Sequence, residues 1–76
     1  MLVYVKTLTG RKIQFDVEPT ESLSILRDKI MEIEGIESDQ IRMIHSGSQI
    51  VFTNTFDKTK IKSGDTIHLV LALRGG

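Results

Sequence analysis

The stretch KIQFDVEPTESLSILRDKIMEIEG, residues 12–35, changes its hydrophobic period halfway and so indicates a strand followed by a helix. In its first part, Ile13, Phe15 and Val17 alternate with polar residues, the period of two that is typical of a half-buried strand over 12–17. Pro19 lacks a backbone N–H and ends that strand. After it the apolar residues follow helical spacing; they are Leu23, Leu26, Ile30 and Ile33.

The ends of this helix carry recognisable signals. Thr20 or Ser22 is suited to cap its start, because a hydroxyl accepts a hydrogen bond from a free N–H of the first turn. Gly35 is suited to the left-handed conformation that commonly follows a helix. The sequence therefore predicts a helix over residues 23–34.

A second strand candidate precedes the first stretch. In residues 2–7, LVYVKT, Val3 and Val5 would share the buried face. Gly10 supplies the positive φ that a hairpin turn needs, which predicts a β-hairpin with Leu8 at its tip.

The C-terminal half indicates more strands and no second long helix. The predicted elements are a strand at 40–45, a turn at Ser46-Gly47, a short strand within 48–52, a loop at 53–65 pinned by Phe56 and Ile61, and a last strand at 66–72. The order is ββαββ with a final strand, an α+β chain in which one helix covers one face of a small mixed sheet.

With one helix available, the second face of the sheet is open to water. Alternation buries Ile67 and Leu69 and leaves His68 and Val70 outside. It likewise buries Ile41 and Met43 and leaves two more residues outside, Arg42 and Ile44. Two explanations of the exposed apolar residues are equally favoured by the pattern alone. Together with Leu8 they could form a site for a partner, or they could simply be residues that favour strands.

The composition limits which classes of function are possible. The 76 residues form one domain without cysteine, and ten Lys and Arg balance ten Asp and Glu. Zero net charge gives no case for nucleic acid or an anionic membrane, and neither a signal peptide nor a membrane span is predicted. His45 and His68 lack metal-ligand spacing, and no nucleophile has a matched base, so we expect neither a metal site nor an enzyme.

Several motifs resemble ubiquitin without gaps over the whole chain: MLVYVKTLTG at 1–10, EGI at 34–36, SDQIR at 38–42, SG-Q at 46–49 and HLVLALRGG at 68–76. The resemblance implies the β-grasp fold, with the first and last strands adjacent and parallel. It also implies one hydrophobic docking patch, formed by Leu8, Ile44, His68 and Val70 with Arg42 and Gly47 at its rim.

Within that family, LVLALRGG and VEPTES resemble the Rub (related-to-ubiquitin) modifiers, which are attached in neddylation. Ubiquitin has Arg where this chain has Ala72. A closely packed groove that accepts Ala need not desolvate a cation, so Ala72 would favour the neddylation activating enzyme. Leu71, Leu73 and Arg74 would complete that recognition, Arg74 through charge-assisted contacts.

The resemblance implies a domain over 1–72 and a flexible conjugation tail over 73–76. Gly76, preceded by Gly75, would be adenylated with ATP and Mg²⁺ by a heterodimeric activating enzyme. It would pass through the thiols of that enzyme and a conjugating enzyme to substrate lysines, with cullins as the favoured targets. The chain itself would need no cofactor. Deconjugating proteases and domains of the ubiquitin-binding type would be further partners of a free monomer in cytoplasm and nucleus.

Departures from ubiquitin restrict chain formation. Ser48, Ser63 and Ile33 stand where ubiquitin has lysines. Lys6 and Lys29 match lysine positions of ubiquitin and Lys60 matches a lysine of the Rub modifiers, so the resemblance implies these three as possible acceptors. Two alternatives stay open: a divergent ubiquitin, and a non-conjugated ubiquitin-like binding module that uses only the patch. Actual substrates and processing after Gly76 are not determined by the sequence.

Overall fold

In the computed structural model, which describes residues 1–72, the first two strands form an antiparallel hairpin. β1 covers Leu2–Lys6 and β2 covers Lys12–Asp16, each one residue shorter than expected. Pairing nevertheless continues toward the turn, where the Thr7 N–H donates to the Arg11 carbonyl at 2.7 Å. Gly10 has φ +86°, as the turn requires, so the predicted hairpin is confirmed.

Helix α1 covers Ser24–Glu34 and ends as predicted. Gly35 adopts the left-handed conformation, with φ +67°, and its N–H donates to the Met31 carbonyl at 2.9 Å. At the start, the Ser22 hydroxyl accepts from the Ser24 N–H at 3.2 Å, so Ser22 satisfies one free donor of the first turn. Thr20 makes no such bond, and Leu23 occupies the N-cap position without a side-chain cap.

The apolar face of α1 that the spacing predicts is only partly buried. Leu23, Leu26 and Ile30 are fully buried, whereas Ile33 is 44% exposed. Ile33 lies beside β2, which is the last strand on that side of the sheet. No further strand is present within residues 1–72 to cover Ile33, so the hydrophobic stripe of the helix extends beyond the surface that could bury it.

Three more strands and two short 3₁₀ helices complete the described chain. They are β3 at Ile41–His45, β4 at Ser48–Gln49, β5 at Thr66–Leu71, and 3₁₀ helices at Ser38–Gln40 and Phe56–Lys58. Gln40, predicted as strand, thus belongs to the first 3₁₀ helix, and β5 ends one residue before the predicted limit.

The short strand predicted within 48–52 is present as β4 and occupies only the first two residues of that stretch. The Ile50 N–H still donates to the Met43 carbonyl at 2.8 Å, but the chain then turns, with the Asn54 N–H bonded to the Val51 carbonyl. This turn brings the Asn54 carbonyl to the Leu23 N–H at 2.8 Å. The Phe52 carbonyl likewise accepts from the Ser22 hydroxyl at 2.7 Å, so the chain after Ile50 is tied to the segment that precedes α1.

Burial anchors the long loop at 53–65 as predicted. Phe56 is fully buried and Ile61 is buried to 6% exposure. The Phe56 N–H donates to the Glu21 carbonyl and the Asp57 N–H to the Pro19 carbonyl. The loop is consequently tied to the segment that precedes α1, although it contains no strand.

The strand order β2-β1-β5-β3-β4 places the first and last strands of the chain side by side at the centre of the sheet. β1 and β5 are parallel, with Val5 opposite Ile67, and the other pairs are antiparallel. A mixed five-stranded sheet with one main helix is the expected β-grasp arrangement, which the structure confirms.

The core lies between α1 and the inner face of the sheet. Its fully buried side chains are Val3, Val5, Leu23, Leu26, Ile30, Ile41, Met43, Phe56 and Ile67. Each such side chain contributes about 1.5–3 kcal/mol through removal from water, before conformational entropy is subtracted. This face therefore supplies most of the stability and leaves the other face available for different uses.

Candidate interaction surface

The outer face of the sheet carries the apolar residues that the core does not use. In β5, Ile67 and Leu69 are buried, whereas His68 is exposed and Val70 is 39% exposed. In β3, Arg42 is exposed and Ile44 is half-buried, less open than the pattern suggested. Alternation along each strand places these outward side chains on one face.

The pairing register brings these residues into contact range. Ile44 lies directly opposite His68, and Arg42 lies directly opposite Val70. Directly opposed side chains in an antiparallel pair have Cβ atoms about 4.5–5.5 Å apart, and Ile44 and Val70 are diagonal neighbours about 7–8 Å apart. Three of the four predicted patch residues therefore form one continuous surface.

The fourth residue, Leu8, belongs to the turn after β1 and is 54% exposed. β1 runs parallel to β5, with Lys6 opposite His68. Leu8 lies two residues beyond Lys6 and Val70 two residues beyond His68, so both lie toward the same end of the sheet. We call Leu8, Ile44, His68 and Val70 the outer patch. Its flanks are basic, because Lys6 borders it on β1 and Arg42 on β3.

Gly47 lies in the two-residue turn that joins β3 to β4. Ser46 has φ +50° and Gly47 has φ +81°, so both central residues are left-handed, as a tight hairpin of this length requires. The turn directs β4 back beside Ile44, which pairs with Gln49. Gly47 thus stands at the end of the outer patch, as a rim residue would.

A side-chain pair that sequence reasoning missed joins β3 to the start of β5. His45 Nε2 lies 2.9 Å from Asp65 Oδ2, and the His45 side chain is only 13% exposed. Asp65 Oδ2 also accepts from the Lys62 N–H at 2.9 Å. The hydrogen bond from Lys62, followed by that from His45, holds the pKa of Asp65 below its usual value.

This pair lies on the opposite side of the sheet and connects the strands that carry the outer patch. Alternation directs His45 to the face opposite Ile44, and Asp65 immediately precedes β5. The Asp65 carbonyl also accepts from the Tyr4 N–H at 3.0 Å, which ties the same residue to β1. One aspartate therefore links the three strands that carry or border the outer patch.

The possible acceptor lysines do not cluster. Lys6 ends β1, Lys29 lies within α1, and Lys60 lies in the loop before β5. All three are exposed, so each amine is accessible to another protein. The fold itself selects none of them.

The predicted tail residues are described only in part. Leu71 ends β5 opposite Ile41 and is 39% exposed. Ala72 is half-buried, and its N–H donates to the Gln40 carbonyl at 2.7 Å. The expectations for Leu73, Arg74, Gly75 and Gly76, and for a domain boundary after Ala72, fall outside or at the limit of the described residues.

Residues 1–72 contain no group of three or more His, Cys, Asp or Glu that could hold a metal ion. The two histidines belong to opposite faces of the sheet, since His45 contacts Asp65 while His68 lies on the outer patch. In the same part of the chain, no helix is long and apolar enough to cross a bilayer.

Comparison with known proteins places this surface in context. Residues 3–74 match the ubiquitin family model. "Ubiquitin-like protein 1" of Schizosaccharomyces pombe is 41% identical over the whole chain and 97% of its own length. "Ubiquitin-like protein NEDD8" of Dictyostelium discoideum is 42% identical over the whole chain and 99% of its own length. "NEDD8-like protein RUB1" of Saccharomyces cerevisiae is 38% identical, with the same coverage as the Dictyostelium protein.

Proposed function

The chain belongs to the ubiquitin family, and from that premise we propose that it is a modifier of the neddylation type, attached through the Gly76 carboxylate to lysines of other proteins. As a Rub- or NEDD8-like member of a family of modifiers, it is not an enzyme and needs no cofactor of its own. The observation that carries the proposal is the match to Rub- and NEDD8-named proteins over the whole chain, which includes the LRGG end.

In the proposed pathway, the Gly76 carboxylate attacks ATP, held with Mg²⁺ in the activating enzyme, and forms an acyl-adenylate with release of pyrophosphate. A cysteine thiolate of that enzyme then displaces AMP to form a thioester. Exchange with the thiol of a conjugating enzyme follows, and a lysine amine finally displaces that thiol to form an isopeptide bond. Every nucleophile belongs to a partner, which fits the absence of cysteine from this chain.

Ala72 supports the choice of activating enzyme. Its backbone N–H is hydrogen-bonded to the Gln40 carbonyl, so the Ala72 methyl group has a defined position next to Leu71 at the end of the sheet. An arginine there would require an acidic partner in the enzyme groove, whereas a methyl group requires only space. Arg74 is proposed as the cation that such an enzyme does recognise.

The outer patch would supply the docking surface for conjugating enzymes, deconjugating proteases and domains of the ubiquitin-binding type. Its centre is apolar and its flanks are basic, which suits partners that present an apolar anchor with acidic neighbours. Cullins are the proposed targets by analogy with the family. Action as a free monomer in cytoplasm and nucleus belongs to the same proposal.

A charging assay tests the proposal. The chain is incubated with ATP, Mg²⁺ and either purified neddylation activating enzyme or purified ubiquitin activating enzyme. We expect a thioester, cleaved by reducing agent, on the neddylation enzyme alone. Thioester formation on the ubiquitin enzyme alone would instead identify a divergent ubiquitin.

Two variants sharpen the assay. Ala72→Arg should lower charging by the neddylation enzyme by about tenfold or more. The arginine would lose its hydration in the groove, at a cost of roughly a few kcal/mol, and no acidic residue would compensate that cost. Ala72→Ser is the matched control, because it stays small and uncharged, and it should charge nearly as the parent does. Equal charging of all three chains would disprove the role of Ala72.

Conjugation in cells separates a modifier from a binding module. A tagged chain is purified from denatured lysate, and Gly-Gly remnants left on lysines after cleavage at Arg74 are sought by mass spectrometry. We expect remnants on cullins, and their loss when Gly75 and Gly76 are deleted. A function that persists after that deletion would favour the non-conjugated module.

A further inference from the structure

A cavity of about 280 Å³ lies beside β4, at the edge of the sheet opposite to β2. Its floor is apolar, because three buried side chains of the core line it; they are Leu23, Ile50 and Ile61. Val51, which is 62% exposed, adds an apolar wall toward solvent. Of the described residues that line the cavity, none belongs to the outer patch, so the two are separate features of the molecule.

Hydrogen bonds hold the walls of this cavity in place. His45 forms one wall, and its Nε2 lies 2.9 Å from Asp65 Oδ2. Thr59 forms another, and its hydroxyl donates to the Phe56 carbonyl at 2.7 Å and accepts from the Ile61 N–H at 3.1 Å. The site is therefore preformed, and an occupant loses little of its binding free energy to the ordering of these side chains.

The polar groups of the lining favour a negatively charged occupant. Within residues 1–72, the structure gives no bond to the Asn54 amide nitrogen, the Ser48 hydroxyl or the Lys60 ammonium, all of which can donate. Of the lining residues that the structure describes, His45 and Lys60 are the ones that can carry a charge, and His45 is already paired with Asp65. Lys60 is thus available for a carboxylate, to which charged donors bind more strongly than to neutral acceptors.

The volume and the openness of the site indicate what it can hold. A closed apolar cavity of roughly 150 Å³ holds one benzene ring, so this larger one has room for an aromatic ring and the atoms that attach it. Much of its lining is exposed, namely Ser46, Ser48, Gln49, Val51 and Lys60. Sites for small molecules usually bury about 70–90% of the ligand. A cavity this open leaves part of a ring uncovered, which favours a side chain that is anchored in the body of a partner protein.

We propose that the cavity beside β4 receives one aromatic side chain of a partner protein, in which an acidic residue directly follows the aromatic one. The ring lies on Leu23, Ile50 and Ile61, and the carboxylate pairs with Lys60, whose flexible stem lets the ammonium reach it. The apolar floor provides most of the affinity, and Lys60 selects the acidic neighbour. This docking goes beyond the proposed function, since it requires neither conjugation through Gly76 nor the outer patch.

The test uses the full chain, labelled with ¹⁵N and ¹³C, and a pentapeptide with capped ends whose sequence is glycine, glycine, phenylalanine, aspartate, glycine. We expect a dissociation constant of about 0.1–1 mM for so small a ligand. Nuclear Overhauser effects should join the phenyl protons to the methyl groups of Ile50 and Ile61, and the amide signal of Val51 should shift. Contacts of the phenyl protons with Ile44 or Val70 instead, or no binding at concentrations well above that range, would overturn the proposal.

Changes in the ligand separate the ring from the acid and the partner protein from a small molecule. Alanine in place of phenylalanine should weaken binding about tenfold or more. Asparagine in place of aspartate should weaken it about threefold, because an exposed ion pair contributes little. Free 3-phenylpropanoate offers the same ring and carboxylate without a peptide and should bind about tenfold more weakly, since it makes fewer contacts. Binding of the free acid as tight as that of the peptide would instead identify a small-molecule site.

Two exposed residues of the cavity complete the test. Val51→Asp should weaken binding of the aspartate peptide about tenfold, because it replaces an apolar wall by a like charge. Val70→Asp is its matched control, since it makes the same change on the outer patch and should leave peptide binding unchanged. Lys60→Gln should weaken binding about threefold, whereas Lys58→Gln, in the same loop but outside the cavity, should have no effect. Equal effects within either pair would contradict the assignment.

Discussion

The two faces of β3 and β5 differ although the same two strands build both. Inward-facing side chains are nearly inaccessible to solvent and merge with α1 into one core; they are Ile41, Met43, Ile67 and Leu69. Outward-facing side chains at the intervening positions mix apolar and basic character; they are Arg42, Ile44, His68 and Val70. Adjacent residues therefore experience different physical demands.

The difference teaches how one sheet can supply stability on one face and leave its other face available for the proposed docking. On the inner face, each side chain must fit its neighbours, because a cavity costs free energy in proportion to its size. On the outer face, side chains keep part of their solvent contact and do not have to fit a closed core. The pairing register couples the faces, since a shift of one residue would exchange them.

The largest effect should come from truncation on the inner face. Ile67→Ala removes a fully buried side chain and should lower the free energy of unfolding by about 3 kcal/mol. Val70→Ala, three residues along the same strand, should cost less than about 1 kcal/mol, because Val70 is 39% exposed. Urea unfolding of both variants measures the contrast. Similar losses would show that the faces are not separate.

The next effect concerns binding rather than stability. Val70→Asp should weaken the association with a ubiquitin-binding domain that uses the outer patch by about tenfold or more, since it places a charge in an apolar contact. Titration calorimetry measures the affinity, and urea unfolding checks that the fold persists. Val51→Asp, at an exposed position away from the patch, is the control and should leave the affinity unchanged.

A smaller effect on the free energy of unfolding should depend on pH, because Asp65 connects strands that contribute to both faces. The pKa of Asp65 is lowered in the folded chain by the bonds from Lys62 and His45. Ionised Asp65 therefore stabilises the fold above its unfolded pKa of about 4, and this contribution is lost as pH falls through the folded pKa.

Asp65→Asn should accordingly be less stable than the parent at pH 7, with a difference that shrinks below about pH 4. Unfolding by urea across this pH range gives the profile. Glu32→Gln, at an exposed position of α1, is the control and should show a flatter difference. A difference that grew on acidification would contradict the assigned direction.

The smallest effect should come from the turn that joins β3 to β4. Ser46 has φ +50°, a conformation that asparagine adopts more readily than serine. Ser46→Asn should raise the free energy of unfolding by about 0.5 kcal/mol. Thermal unfolding monitored by calorimetry is sensitive enough. Ser48→Asn, within β4, serves as the comparison and should not stabilise.

Much of the fold could be predicted because its signals are local. Alternation in β2 and β5, helical spacing in α1, and Gly35 at the helix end each act within a few residues. Helical spacing groups Ile33 with Leu23, Leu26 and Ile30, but it contains no information about where the sheet ends, and Ile33 is 44% exposed. The end of β4 at Gln49 likewise has no local signal, because the chain after Ile50 bonds to the distant segment that precedes α1.

The candidate sites divide in the same way. The exposed side of β5 followed from alternation, so His68 and Val70 could be placed on one face. The resemblance to ubiquitin, rather than any spacing, grouped them with Leu8 and Ile44. The bond between His45 and Asp65 joins residues twenty positions apart and has no local signal. The position of β2 at the edge of the sheet also has no local signal, because an edge is a property of strand order.

By itself, the sequence determined which segments become strands or helix and which side chains alternate inward, because dihedral preferences and hydrophobic periods act between near neighbours. Only the tertiary structure decided that Ile44 lies opposite His68, that Asp65 ties three strands together, and that β2 is left open beside Ile33. These features depend on pairing between segments far apart in the chain, and the register of that pairing is set by the packing of the whole core.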